Sequence, residues 1–590
     1  MIYLCRFQIL EVLMGIFMKQ KSKIIFTCLF VFSFCPFIFA QEQQPANYTA
    51  NTSQDNLLNL STSSVLIGSN LPADSNENGK AKTTEVRINF GGELNYNEIT
   101  GPGKASSSLS KGFRHSENLG INIRGVKEDL KYQLNVSGRG TNDERIDPIF
   151  VSLTYLQARL EYKNHFLNTG DIFESFSQYS LNTSLKGASY KYNNNSGRYP
   201  EISAVFGSAY PRWESWFKND KARALNRTAY GANVKQEINE NLKFGVSALK
   251  SSDSQRITDS DPLYDNNLYS IDGQYNPIPG LTVSGEAAIS QTELEANSTA
   301  SKTSYNGNAF KLEIVGDENP SRVVLGYERV NPEFESLLGS AIKDRERASA
   351  RWRYKYTADT TVDSRFTWYR NSLNDTSNST NSYKPEVGVN IKRVFDRRYS
   401  NLNFNVKLDQ KNSPSNKSSD YFTDLGYRDR FIGLDVDAGA GFTSYNVDKS
   451  TRETLDYSGR FSVSTRKSFE KVILKPSLNA SSSYIDDQVN ITIDKIFEYS
   501  VSLGVDIPDS KLTSNFKFGQ NILKAAAGDN ADSLFINAAI YYRPDIFFGI
   551  KDCTLFARAM MNDFAFQTDT RDFNEKSFSM GISFPLDFKI

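Results

Sequence analysis

Phe578-Ser579-Met580-Gly581-Ile582-Ser583-Phe584-Pro585-Leu586-Asp587-Phe588-Lys589-Ile590 decides how this chain is read. Phe578, Met580, Ile582, Phe584, Leu586, Phe588 and Ile590 alternate with small or polar residues. Successive side chains of a β-strand point to opposite faces, so every apolar group here lies on one side. The sequence ends there with no later segment to cover that face, and the expectation is that lipid covers it.

One such segment is a weak signal; many are not. From Val86 onward alternating runs recur about every 20 residues, the tilted length of a membrane-crossing strand and its connection. Examples are Leu130, Tyr132, Leu134, Val136; Leu242, Phe244, Val246, Ala248; Ala348, Ala350, Trp352, Tyr354, Tyr356; and Phe497, Tyr499, Val501, Leu503, Val505, Ile507. Charged residues sit between them, Arg351, Arg353 and Lys355 among them, as a face in water requires. The connections alternate as well. Short turns are expected at 127–129, 163–164, 239–240, 276–279, 358–360, 428–430 and 508–510, and longer polar ones at 98–116, 209–226, 252–266, 292–306, 331–346, 372–384 and 563–575. Tight turns at one end and long loops at the other mark an outer-membrane barrel. A soluble sandwich alternates too, but it needs crossover connections and Pro- or Gly-rich corners, and a propeller needs a repeated blade motif; neither is present. The fold expected for 85–590 is therefore all-β: an up-and-down antiparallel transmembrane β-barrel of about 26 strands, in the range 24–26.

The N-terminal part fits that destination. Lys19, Lys21 and Lys23 precede an apolar run from Ile24 to Phe39 that ends at Ala40, the pattern of a secretory signal peptide, with Met1 to Phe17 as an upstream extension. An uncleaved anchor is the rival reading. Residues 41–84, rich in Asn, Ser, Thr and Gln, are expected to be a disordered periplasmic lead-in, too short for a globular plug. Past Ala40 no apolar run is long enough for a transmembrane helix. Cys5, Cys28 and Cys35 fall in the removed part, which leaves Cys553 alone and no disulfide possible within one mature chain. The formal charge is zero, with 68 basic and 68 acidic residues, so a nucleic-acid partner is not expected.

The signal peptide, the meander and the final strand resemble a Gram-negative outer-membrane β-barrel over everything from Val86 on, with no particular family assigned. The resemblance implies a bacterial outer-membrane location, contact with membrane lipid, and a C-terminal strand read by the barrel-assembly machinery through Phe584, Phe588 and Ile590. It departs in ending on Ile590, with Phe588 two places earlier. Gly326 to Leu337 is similar to a strand-to-loop phrase of large secretion-associated barrels. Gly170-Asp171, Ser180-Leu181 and Lys186-Gly187 are similar to another such phrase, and are read as two strand ends around a tight loop.

Chemistry is sparse. The only histidines are His115, placed in the first long loop, and His165, beside a short turn; an outer-membrane hydrolase would have to be built on one of them. Asp259, Asp261 and Asp265 have the first spacings of an oxygen-ligand loop but lack its glycine and terminal glutamate, so no metal and no cofactor is expected. Cys553 opens an alternating run and is expected to face lipid as a small apolar group.

The wet faces carry the functional expectation. Arg351, Arg353, Lys355, Asp363, Arg365, Asp435 and Asp437 are candidate lumen residues, acting either as a selectivity lining or as mutual salt bridges that stiffen the wall. Arg212, Trp213, Trp216 and Lys218 are candidates for a constriction loop. A barrel this large has a lumen too wide for its own side chains to fill. The function expected is a non-enzymatic channel, porin-like or an export conduit for hydrophilic solutes or polymers. The alternative is a plugged or loop-closed barrel whose outer loops bind surface partners, and periplasmic or surface protein partners belong to either.

Overall fold

The computed structural model describes residues 83–193, 199–217, 224–375, 377–448, 452–526 and 528–589. The expected signal peptide and lead-in lie outside them, except that Thr83 and Thr84 already belong to the first strand. Lys218 and Ile590 also lie outside.

Twenty-six antiparallel strands form the wall. They are β1 (Thr83–Thr100), β2 (Gly112–Lys127), β3 (Leu130–Thr141), β4 (Val151–Tyr162), β5 (His165–Ser175), β6 (Asn182–Tyr192), β7 (Glu201–Ser208), β8 (Arg227–Asn239) and β9 (Leu242–Asp253). Next come β10 (Leu263–Ile278), β11 (Leu281–Glu295), β12 (Thr303–Glu318), β13 (Ser321–Val330), β14 (Arg345–Lys355), β15 (Thr360–Asn371), β16 (Asn381–Lys392), β17 (Asn401–Asn412) and β18 (Lys417–Phe431). The rest are β19 (Leu434–Val447), β20 (Arg452–Thr465), β21 (Ile473–Asp487), β22 (Thr492–Ile507), β23 (Leu512–Lys524), β24 (Ala531–Tyr542), β25 (Thr554–Phe566) and β26 (Phe573–Lys589). Each pairs with its sequence neighbours, and β26 returns to β1 over 16 register pairs, Glu85↔Lys589 to Thr100↔Asn574. Closure leaves no free edge, so the wall's backbone groups find partners without water.

The register carries one polar face around the whole wall. Arg351 lies opposite Arg365, Arg365 opposite Glu386 and Glu386 opposite Lys407. On the other side Val324 faces Arg351, Gly326 faces Ser349 and Glu328 faces Arg347. The opposite face is apolar and exposed: Val246, Ile271, Leu325, Trp352 and Phe366 lie on it, each with more than a third of its surface uncovered. Chain segments cover the polar face between β5 and β13, so that face is concave and inner, and the apolar band faces outward, toward lipid. At closure Phe90 and Phe584 pack on the outer band with ring centroids 5.3 Å apart, and Phe588 lies opposite Val86.

Three expectations are corrected. The turn placed at 428–430 is strand; the chain reverses at Ile432 and Gly433, both at positive φ, so 421–445 is two strands, β18 and β19. Arg428 and Arg430 look like turn residues because the lumen they face is as wet as a loop. The loop asymmetry holds only for the first two thirds of the chain. At the far end from the termini the connections shrink to 413–416 and 488–491, while the termini end carries 393–400 and 543–553. Cys553 does not face lipid: it is fully buried just ahead of β25, and burial pushes its thiol pKa up.

Candidate channel lumen

Two far-end loops enter the barrel. Residues 176–181, between β5 and β6, and residues 331–344, between β13 and β14, meet across eight intervening strands. Asn182 N donates to Leu338 O at 2.9 Å and Ser340 N to Gln178 O at 3.0 Å, and Ser336 Oγ donates to Tyr179 O at 2.5 Å. Their apolar undersides pack on inner-wall residues that are small or aliphatic: Phe176, Leu181 and Leu338 on Leu185, Val205, Ala229 and Leu249, and Tyr179 and Phe334 on Leu268, Ala288, Ala309 and Val330. Tyr179 and Phe334 meet edge to face at 5.8 Å. Gly307 on β12 permits the close approach, since a Cβ there would lie 2.2 Å from the Phe334 Cα.

Wall carboxylates anchor the loops. Buried backbone N–H groups must find acceptors. Glu286 on β11 takes those of Tyr179, at 3.0 Å, and Gln178, at 3.2 Å. Glu328 on β13 accepts the Tyr179 phenol at 3.2 Å and the Gln178 side-chain amide at 3.1 Å, while Lys311 on β12 donates to Gln178 Oε1 at 2.6 Å. Burial, with the Glu328 carboxylate beside it, pushes the Tyr179 phenol well above its usual range, so it stays a donor. Ser290 Oγ accepts from Glu335 N at 3.0 Å, and Lys343 pairs with the Glu335 carboxylate.

The rest of the inner wall is laced with ion pairs. Arg351 and Arg353 share Asp363, at 2.7 and 3.1 Å. Arg365 pairs with Glu386 at 3.5 Å, Arg430 with Asp435 at 2.7 Å and Arg428 with Asp437 at 2.7 Å. Arg460 reaches Asp424 at 2.8 Å. Side-chain exposure separates the two parts of the lumen: Arg365 is 44% exposed and Arg460 50%, against 10% for Glu328 beneath the loops and 11% for Glu335 within one of them. Six of the seven lumen candidates thus sit in ion pairs on one face, Arg351 and Arg353 on a single carboxylate; Lys355 lies opposite Thr361 on that face.

Of the constriction candidates, Arg212, Trp213 and Trp216 lie in the loop between β7 and β8. Trp213 and Trp216 bound a four-residue helix, α1 (Trp213–Trp216), in the β7–β8 loop. Trp213 Nε1 donates to Asp171 Oδ2 at 2.7 Å, and Arg212 Nη2 donates to both oxygens of Asp147, at 2.5 and 2.7 Å. By register Asp171 and Lys186 lie on the face opposite Ile172 and Leu185, while Ser152, which donates to Asp147, lies opposite Arg139 on the polar face, so these contacts sit in the wall itself. His115 lies within β2 rather than in a loop, beside Glu117 at 3.0 Å, and His165 starts β5 with its Nδ1 2.8 Å from the Tyr190 hydroxyl. Asp261 accepts the N–H groups of Ile257 and Thr258 in a turn, whereas Asp265 pairs with Lys250.

The residues that organise the lumen, Tyr179, Glu286, Glu328 and Phe334, were not singled out as a site in the sequence. The only signals lay in the two phrases similar to other large barrels: Gly326 to Leu337 is where β13 turns inward, and Ser180-Leu181 lies in the partner loop.

A closed sheet of 26 strands, apolar outside and polar inside, is a transmembrane β-barrel of the bacterial outer membrane. Its sequence matches no family profile and no curated protein. Among solved structures it is similar to the translocation pore of the P pilus usher PapC, at 9% identity over 85% of this chain and 99% of that one, with a TM-score of 0.39. It is also similar to the FrpB iron transporter of Neisseria meningitidis (9% identity, 84% and 81% coverage, TM-score 0.38) and to Pseudomonas aeruginosa OccK8 (9%, 62% and 98%, 0.32). These are distant likenesses of architecture, and the class rests on the chain's own closure and two faces.

Proposed function

We propose that the barrel is a channel for hydrophilic solutes or an exported polymer, running along the part of its lumen that the inner loops leave uncovered. The observation that carries this is the contrast in exposure between the ion-paired wall, wet at Arg365 and Arg460, and the loop-covered wall, dry at Glu328. Ion pairs of both signs give a stiff, hydrated lining of modest net charge, suited to passage rather than to tight capture. Transport, not catalysis, is the role proposed, with membrane lipid, the assembly machinery and periplasmic or surface proteins as partners.

A second reading is supported by the loops themselves: two segments meeting across the barrel reduce the opening, as in a closed barrel that serves as a scaffold for surface partners. Single-channel recording of the refolded chain separates the two. Steady unit currents are expected from the channel. Silence from a heat-modifiable, folded sample, followed by current once 332–343 is deleted, would give the second reading the field.

A further inference from the structure

The wall has one weak seam, and it is not the closure. β4 and β5 are joined by six register pairs, Tyr162↔His165 to Gln157↔Gly170, the fewest between any adjacent wall strands among the described residues. Both strands continue beyond that point, β4 as far as Val151 and β5 as far as Ser175, without pairing to each other. They part at Gly170, whose φ is +97° and where a Cβ would lie 2.1 Å from Leu156 O.

Side chains close what the ladder leaves open. Leu156 N donates to Asp171 Oδ2 at 2.7 Å, so a carboxylate stands where the strand's carbonyl would be. Leu153 N donates to Glu214 Oε1 of α1 at 2.6 Å. The helix therefore lies alongside β4 as the strand's substitute partner. It is pinned from both sides: Trp213 Nε1 to Asp171 on β5, Arg212 to Asp147, which in turn accepts Ser152 Oγ on β4 at 2.7 Å. Lys186 pairs with Asp171 at 2.6 Å and lies 5.0 Å from the Trp213 ring centroid.

The two mouths of this seam differ in chemistry. Outside, Phe173 and Phe206 are both more than 60% exposed, as is Phe150, whose ring packs on His115 at 5.6 Å. On the inner face Gln157 and Asn168 end the paired stretch, and on the open stretch stand Glu174, which accepts Ser189 Oγ at 2.7 Å, and Ile172, buried beneath the loop 176–181. An apolar outer lip beside an inner face that carries both Ile172 and Glu174 matches a molecule with an acyl chain and a polar head.

We propose that the β4–β5 seam is a lateral portal through which an amphipathic, lipid-like molecule passes between the lumen and the outer leaflet, with α1 as its removable closing piece. Strand edges sealed by side chains and a short helix open without breaking a backbone ladder, whereas every other seam must lose paired strands. The proposal rests on the channel reading for the watery part of the lumen, which borders the loop-covered wall behind the seam.

The test is a latch that can be locked. In the full chain with its native cysteines replaced, Asp147→Cys and Arg212→Cys put two thiols where the side chains now touch, and a short bis-methanethiosulfonate spans them. Proteoliposomes are loaded with a fluorescent C12 lysophosphatidylcholine, and external albumin extracts what reaches the outer leaflet. Extraction several-fold faster from the open pair than from the bridged pair, restored by reductant, is the expected result; equal rates bridged and unbridged overturn the proposal. Trp213→Phe keeps the ring and removes only the donor to Asp171, so a rise in extraction is expected from it too, independent of whether the cysteine pair folds. Ion current recorded on the same samples keeps the two ideas apart: lysolipid release without current refutes the channel and keeps the portal, and current without latch-dependent release does the reverse.

Discussion

The phenol of Tyr179 donates to Glu328 Oε1 at 3.2 Å, tying a loop that leaves β5 to a wall strand 149 residues further along the chain. The same loop hangs its backbone on Glu286, so two carboxylates hold a cover over part of the lumen.

Glu286→Ala removes the acceptor of the buried Tyr179 N–H, at a cost of about 1–3 kcal/mol, and that of the half-buried Gln178 N–H as well. The loops 176–181 and 331–344 are expected to detach together, because they are bonded to one another. Larger and noisier unit currents, with faster proteolysis inside 331–344, are the measurements; an unchanged current trace would mean that the cover lies off the conducting path.

Asp363→Asn leaves Arg351 and Arg353 without their shared carboxylate and makes that stretch of lining more positive. The reversal potential in a salt gradient is expected to move toward chloride preference. The shift should shrink in molar salt, where the screening length falls to about 3 Å.

Gly307→Ala drives a methyl group into the Phe334 backbone, and Gly170→Ala combines a left-handed φ with a clash against Leu156 O. Each is expected to lower the temperature of the heat-modifiable gel shift. Only Gly307→Ala should alter the current, since it alone displaces an inner loop.

Burial raises the Asp147 pKa, but hydrogen bonds from Arg212, Ile149 N and Ser152 outweigh it and hold the carboxyl below its usual range. A depressed carboxyl contributes stability that is complete above its unfolded value, about 3.9, and is lost as pH falls through the folded one. Tryptophan fluorescence should therefore report loosening of α1 only on acidification below about pH 4. Asp147→Asn should give that loosened signal already at neutral pH.

The outer face was legible because lipid imposes a strict rule: Leu242, Phe244, Val246 and Ala248 can be nothing but one side of a strand in such a series. The inner face obeys no such rule. Arg428-Asp429-Arg430 read as a turn since residues bathed by a lumen have the same composition as residues bathed by a loop. Tyr179 and Phe334 were illegible for another reason: they stand far apart in sequence and meet only once β5 to β13 have been laid side by side. Asp171 was quoted but taken as a strand end, because a carboxylate that replaces a backbone carbonyl leaves no periodicity to detect.

The wall closes by joining its first described strand to its last. Until β26 exists, β1 keeps an unpaired edge that can template pairing with any other chain. Loop-closure entropy also makes such a long-range pairing slow to form. The order of synthesis thus sets a waiting time during which this protein is an open sheet with two adhesive margins, and whatever holds those margins apart decides how much of it ever becomes a barrel.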